Sequence, residues 1–278
     1  MRDPRVLVDG RGLVESPRWH LGRWYVSDWS AGEVLAVTPD GEVEVAARVD
    51  SLPLCTAWHP EGRMLIVSSR EGKVLALERD GSLTTYADLG KPGWNDVVVD
   101  GRGNCYVNGA GFDPMSGEEF RPGGIVLVRP TGAVVEVAAD VAFPNGMAVT
   151  PDNGTLIVAD SYRHELVAFD IGADGVLSAR RTWADLGDGT PDGICIDAEG
   201  AVWYADVPHR VCARVAEGGA VLERVEVDRG AFACALGGPD GRTLCVVTAE
   251  WRGMSELVGP GSGQVLTVDV DVPGAGWP

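Results

Sequence analysis

The sequence predicts an all-β fold, a six-bladed β-propeller, and three observations carry that prediction. An apolar strand, a glycine turn, a second strand, a polar break and a third strand recur as a unit six times. Glycine is abundant, 38 of 278 residues, and short valine-rich runs lie between the glycines, the mark of many short strands joined by tight turns. No long stretch places apolar residues at the i, i+3, i+4, i+7 spacing of an amphipathic helix.

The six copies align on a turn glycine. They read "WHLGRWYVSDWSAGEVLAVTPDG", "WHPEGRMLIVSSREGKVLALERDG", "VDGRGNCYVNG…GGIVLVRPTG", "TPDNGTLIVADSYRHELVAFDIGADG", "IDAEGAVWYADVPHRVCARVAEGG" and "GGPDGRTLCVVTAEW…GQVLTVDV". The aligned residues are Gly22, Gly62, Gly103, Gly154, Gly200 and Gly241, at spacings of 40, 41, 51, 46 and 41. A period of about 40–45 residues with several strands per unit is that of propeller blades around a central channel. The N-terminal "RVLVDG" is expected to supply the outer strand of the last blade beside "GQVLTVDV", so that no sheet edge stays open. No linker or low-complexity segment interrupts the repeats, so residues 1–278 read as a single domain. Copy three is longer than the rest. Its excess, "GFDPMSGEEFRPG" from Gly111 to Gly123, reads as a loop between second and third strands, either a lid over the channel or a neutral surface insertion.

Composition narrows the partners. The formal charge of −18 repels phosphate backbones and anionic membranes, which argues against nucleic-acid or membrane binding, and it suits a cation or plain solubility. No segment approaches 18 continuous apolar residues, and no signal-peptide run opens the chain. The six cysteines form no CxxC pair and sit mostly in strand-like runs, which suits a reducing cytoplasm.

The chemistry lies in the phase of the polar residues. The first strand of a blade lines the channel, so its opening residue points into the channel mouth. Counting back from the turn glycines gives Glu15, Asn95, Asn145 and Asp192, at offsets of 7, 8, 9 and 8. Copies two and six carry Leu54 or Cys55 and Ala233 or Cys234 there. An asparagine or aspartate before glycine is also an ordinary turn former. Four oxygen-bearing side chains at one level have a different implication. Two buried carboxylates repel unless one stays protonated or a cation lies between them. An all-oxygen set suits Ca²⁺, Mg²⁺ or Mn²⁺; with no histidine at this phase Zn²⁺ is the weaker fit.

The chain resembles the SMP-30/gluconolactonase/LRE-like family of six-bladed propellers over nearly its whole length. "ESPRWH", "WNDVVVDGRGN", "FPNGMAVTPD", "TPDGICIDAEGAVWYAD" and "FACALGGPDGRTL" carry the resemblance. It implies one divalent metal in the channel, often calcium, with Glu15, Asn145 and Asp192 as ligands. Asn95 would sit in the metal and substrate shell. It also implies lactone hydrolysis with Asp192 in acid/base work. One departure stands out: sugar-lactonase members carry an arginine two residues before the asparagine, and here that residue is Gly93.

In that scheme the metal polarises the carbonyl and activates water, and no GxSxG segment offers a serine nucleophile. Second strands end near the channel mouth, bringing Asp28, Arg70, Asn108, Asp160, Tyr162, Asp206 and Trp251 within reach of a substrate. Of these, Asn108 and Tyr162, together with Trp94 and Asn95, are the expected substrate contacts. His20 and His59 belong to turns at the far end; His164 and His209 lie on the substrate side. Two other readings stay open: a phosphotriesterase-like hydrolase using the same site, and a non-catalytic binding scaffold with a structural ion. The scaffold's sequence mark, a ring of exposed aromatic and basic residues on one face, is not legible.

Overall fold

The computed structural model describes residues 3–253 and 256–276; residues 1, 2, 254, 255, 277 and 278, which the expected domain span includes, lie outside the described residues. The described residues form strands and no helix. Six four-stranded antiparallel sheets follow one another as blades. Blade one orders Val14–His20, Arg23–Asp28, Glu33–Val37 and Val43–Arg48 from the channel outward. The inner strands of the next blades are Leu54–Trp58, Trp94–Val99, Pro144–Val149, Pro191–Ile196 and Gly230–Gly237. Blade six continues with Thr243–Ala249 and Gly263–Asp269, and its outer strand is the N-terminal Arg5–Arg11, as expected. Arg5 lies opposite Thr267 and Val6 opposite Leu266. A separate two-stranded ribbon, Trp251–Gly253 with Leu257–Val258, stands outside the blades.

Strand composition follows position in the blade. Second strands are covered on both faces, so they read as unbroken apolar runs, and every residue of Met64–Ser68 and Val202–Asp206 is buried. Outer strands face solvent and carry charge: "VEVAAR" of Val43–Arg48 buries one residue of six. The turn after each inner strand needs a left-handed residue, and glycine supplies it five times. Blade four differs from the alignment: Asn153 at φ 58° takes that place and Gly154 does not. Asparagine tolerates the conformation because its short side chain bonds locally.

The core is divided among the blade interfaces. Among the described residues six apolar clusters form, one between each adjacent pair of blades. The cluster joining blades six and one, which includes Phe232, Val247, Trp24 and Val26, is as continuous as the others. Burial of each Val or Leu there contributes about 1.5–3 kcal/mol, so closure rests on packing as well as on the shared sheet. The long connection of blade three joins Cys105–Gly109 to Gly123–Val128. Its neck is tight: a Cβ on Gly111 would lie 2.1 Å from the carbonyl oxygen of Pro122.

Candidate metal centre

Glu15, Asn95, Asn145 and Asp192 are each the second residue of an inner strand. In three of these strands the pairing with the second strand slips at the donor, between Trp94 and Val97, Pro144 and Met147, and Pro191 and Ile194; in blade one Glu15 pairs with Ser27 and the slip comes just after it, before Arg18. A bulge re-aims a side chain that a regular ladder would fix. The "PNG" and "PDG" tripeptides are therefore strand, not turn. Their glycines serve close approach: a Cβ on Gly146 would lie 2.6 Å from Asp192 O, and one on Gly193 2.3 Å from Ala233 Cβ. Inner strands of blades four, five and six can converge on the axis only with glycine at those two positions.

The four side chains meet at the floor of the channel mouth. Asn95 Nδ2 donates to Asn145 Oδ1 at 3.2 Å, and Asn145 Nδ2 donates to Ser161 Oγ at 3.4 Å. Glu15 is buried, and its Oε2 accepts the Ser16 N–H at 3.0 Å. Burial pushes the Glu15 carboxyl up to about 8, helped by the nearby Asp96 charge and opposed by Ser16 and Arg18. Asp192 is raised well above the carboxylate range, first by burial, then by the charges of Glu15, Asp96 and Asp206, while Asn145 opposes. Glu15 and Asp192 therefore sense each other across the axis. Glu15, Asn95 and Asn145 line a small cavity of about 20 Å³ together with Arg18, Trp29, Cys55, Asp96 and Cys234, and Asp192 adjoins it through Asn145.

This donor set fits a hard divalent cation. Among the described residues no three His, Cys, Asp or Glu side chains cluster to hold an ion, so half of the donors here have to be amide oxygens. Two carboxylates and two amides balance a 2+ charge with oxygen alone. Burial first, and then the negative charges around them, hold both carboxyls toward the neutral form, and a cation between them would relieve that.

The remaining expectations divide. Trp94 does not face the channel: it is buried in the cluster between blades two and three, with Lys91 Nζ 5.5 Å from its ring centroid. Large apolar area draws it into the blade interface. Asn108 is fully buried and braces the site from behind: its Oδ1 accepts Asp96 N–H at 3.1 Å and its Nδ2 donates to Asn145 O at 2.5 Å. It has no surface left for a substrate. Asp160 and Asp206 likewise bond backbone N–H groups, of Ala142 and Phe143 and of Thr190 and His209, and so fix the chain just before Asn145 and Asp192. Arg70 pairs with Asp50, and Trp251 packs edge-on against Phe232. Tyr162 is exposed and stacks on Phe143, ring centroids 4.5 Å apart. At the far end, His20 stacks on Trp58. His164 Nδ1 donates to Gly189 O, and His209 Nδ1 lies 2.9 Å from Asp206.

Sequence reasoning missed a buried ion pair below the four donors. Arg18 of blade one reaches Asp96 of blade three at 3.4 Å and donates to Val97 O at 3.2 Å. Asp96 Oδ2 also accepts the Met147 N–H at 2.9 Å, so one carboxylate ties three blades together. A signal was present: Arg18 is the one Lys or Arg in any inner strand, and a charge there needs a partner.

Comparison with known proteins agrees with the geometry. The chain is 30% identical over 281 residues to 6-deoxy-6-sulfogluconolactonase of Pseudomonas putida, spanning 96% of this chain and 94% of that protein. It is 33% identical over 270 residues to regucalcin of Xenopus laevis, spanning 90% and 87% of the two chains. The fold superimposes on the crystal structure of a calcium-binding regucalcin from Agrobacterium tumefaciens with a TM-score of 0.84 at 23% identity, covering 100% of this chain and 97% of that one. Residues 13–250 match the SMP-30/Gluconolactonase/LRE-like region. With that match across most of the propeller, the chain belongs to the SMP-30/gluconolactonase/LRE-like family.

Proposed function

We propose that this protein is a divalent-cation-dependent lactonase whose ion, calcium in the first instance, is held by Glu15, Asn95, Asn145 and Asp192. One observation carries the reading: four oxygen donors from four blades occupy the same strand position, three of them line one pocket, and the fourth, Asp192, adjoins them through Asn145. The relatives named 6-deoxy-6-sulfogluconolactonase and pentonolactonase support the reaction class. The regucalcins support the choice of ion.

Bound there, the cation supplies Lewis acidity toward the ring carbonyl and acidifies a water. The chain supplies the rest. Asp192 accepts the proton of the attacking water and returns it to the ring oxygen as the C–O bond breaks. Ser161, bonded to Asn145 Nδ2 and to Pro191 O at 2.6 Å, locks the amide of blade four to the strand that carries Asp192. Asn108 fixes the backbone of the same asparagine. The Arg18–Asp96 pair lines the same pocket as Glu15, Asn95 and Asn145 and ties the strands that carry them.

Lactone turnover is read as acid release in a pH-stat, with and without a chelator. Turnover that stops on chelation and returns with Ca²⁺, Mg²⁺ or Mn²⁺ is the expected result. Turnover indifferent to chelation would remove the ion from the reaction.

A further inference from the structure

We infer that the lactone this site accepts carries an apolar substituent, best an aryl group, that lies on a wall of aromatic rings built by blades three and four. The inference rests on the lactonase reading and specifies its substrate class.

The long loop of blade three docks on blade four through rings. Phe112 lies 5.6 Å from Phe120, 6.1 Å from Phe143 and 6.3 Å from Tyr162, centroid to centroid. Phe120 stacks on Tyr162 at 6.0 Å and Phe143 on Tyr162 at 4.5 Å. Phe112 and Phe143 are half-buried and account for holding the loop down. Phe120 and Tyr162 still expose 54% and 46% of their surface, with Met115 of the same loop at 44%. Holding the loop needs no such exposure, and exposed aromatic area in a contiguous patch implies an occupant.

Position identifies the occupant. Phe143 stands two residues before Asn145, and Tyr162 follows Ser161, the hydrogen-bond partner of Asn145. Phe143 and Tyr162 therefore stand at the end of blade four that carries Asn145, beside the donor pocket and not within its lining. Among the described residues, the three most exposed large aromatic side chains, Phe120, Tyr162 and Trp251, lie in the connections at this end of the ring. Four basic side chains of these connections are paired: Arg70 with Asp50, Arg121 with Glu118, Arg163 with Asp140 and Arg252 with Glu250. An anionic or polyhydroxylated substituent would meet rings and paired charges. Gly93 completes the picture. Its φ of +97° is hostile to any side chain, and the space where a Cβ would stand is open. The backbone itself thus excludes a polar arm from blade three beside Asn95, and leaves room for substrate bulk.

The test compares kcat/KM of the calcium-loaded protein on γ-phenyl-γ-butyrolactone, unsubstituted γ-butyrolactone and glucono-δ-lactone, for the wild type and for Phe120→Ala and Tyr162→Ala. Both variants alter exposed rings, and circular dichroism confirms the fold. The phenyl lactone should exceed glucono-δ-lactone by at least about ten-fold, the scale of a filled apolar subsite. Each variant should lower the ratio of phenyl to unsubstituted lactone by about ten-fold, chiefly through KM. Preference for glucono-δ-lactone, or ratios that do not move, overturns the inference and leaves the lactonase reading standing. Dimerisation abolished by Phe120→Ala with unmoved ratios assigns the rings to a second copy, and also overturns it. Failure to turn over any of the three lactones takes down the lactonase reading and this inference together.

Discussion

Blade two and blade four have the same four-stranded plan and differ at one place. The inner strand of blade two pairs without interruption, Leu54 to Ser68 through Trp58 to Met64, and sets Cys55 at the level of the candidate donors. The inner strand of blade four slips between Pro144 and Met147 and sets Asn145 there. Blades three and five slip in the same way and free Asn95 and Asp192, whereas in blade one Glu15 keeps its partner Ser27 and the slip falls on the two residues after it. Blade six also slips, between Ala231 and Ala233, but the residue freed is Phe232, which packs against Trp251. An irregular ladder frees Asn95, Asn145 and Asp192, while blade two, with a regular one, brings only a thiol to that level.

The largest expected effect comes from removing chemistry at a slipped strand. Asp192→Ala should lower kcat by at least about a thousand-fold on any accepted lactone, the scale of losing a positioned acid/base. Full activity in that variant rejects the role. Blade two gives the control: Cys55→Ala should lower kcat less than about three-fold, since a buried thiol beside the donors acts as a small apolar wall.

Next in size is the pair that links slipped strands. Asp96→Ala leaves the Arg18 guanidinium buried without a carboxylate, and should cost about 3–5 kcal/mol in urea denaturation. Loss below about 1 kcal/mol would mean that Arg18 finds another partner.

A third measurement separates the donors from the frame by pH. The folded-state pKa of Glu15 is about 8, above its unfolded value, so the folded protein without ion binds more protons than the unfolded chain between those values. Asp192 is shifted in the same direction. Stability without the ion is therefore full at about pH 4.5, the ordinary glutamate value, and declines as pH rises toward 8. Calcium should flatten that decline, and Glu15→Gln should shrink both the decline and the calcium-dependent rise in Tm. A Tm without ion that climbs over this range contradicts the shared carboxylate site.

The smallest effect concerns the turn that departs from the repeat. Asn153→Gly in blade four restores the glycine used by the other turns and should change stability by less than about 1 kcal/mol, because the gain in backbone ease is offset by the lost side-chain bonds to Gly101 N.

Sequence and structure differ in a consistent way. Blade number, the closing strand and the loop of blade three were legible because strand period and turn glycines are local. The phase of Glu15, Asn95, Asn145 and Asp192 was legible because each sits at a fixed distance from a turn. Trp94 and Asn108 were misassigned because neighbours in sequence point to different surroundings once blades pack: Asn95 reaches the pocket while Trp94 enters the interface behind it. The reason for glycine in "PNG" and "PDG" was likewise hidden, since it is set by a neighbouring strand and not by the local turn.

By itself the sequence determined the all-β class, six blades, the closed ring and the level at which oxygen donors stand. These follow from periodicity, which needs no knowledge of what lies across a sheet. Only the tertiary structure decided which strands bulge, that Arg18 of blade one belongs to Asp96 of blade three, and that four rings from two blades form one wall. Those facts depend on contacts between residues far apart in the chain, and such contacts exist only once the ring has closed.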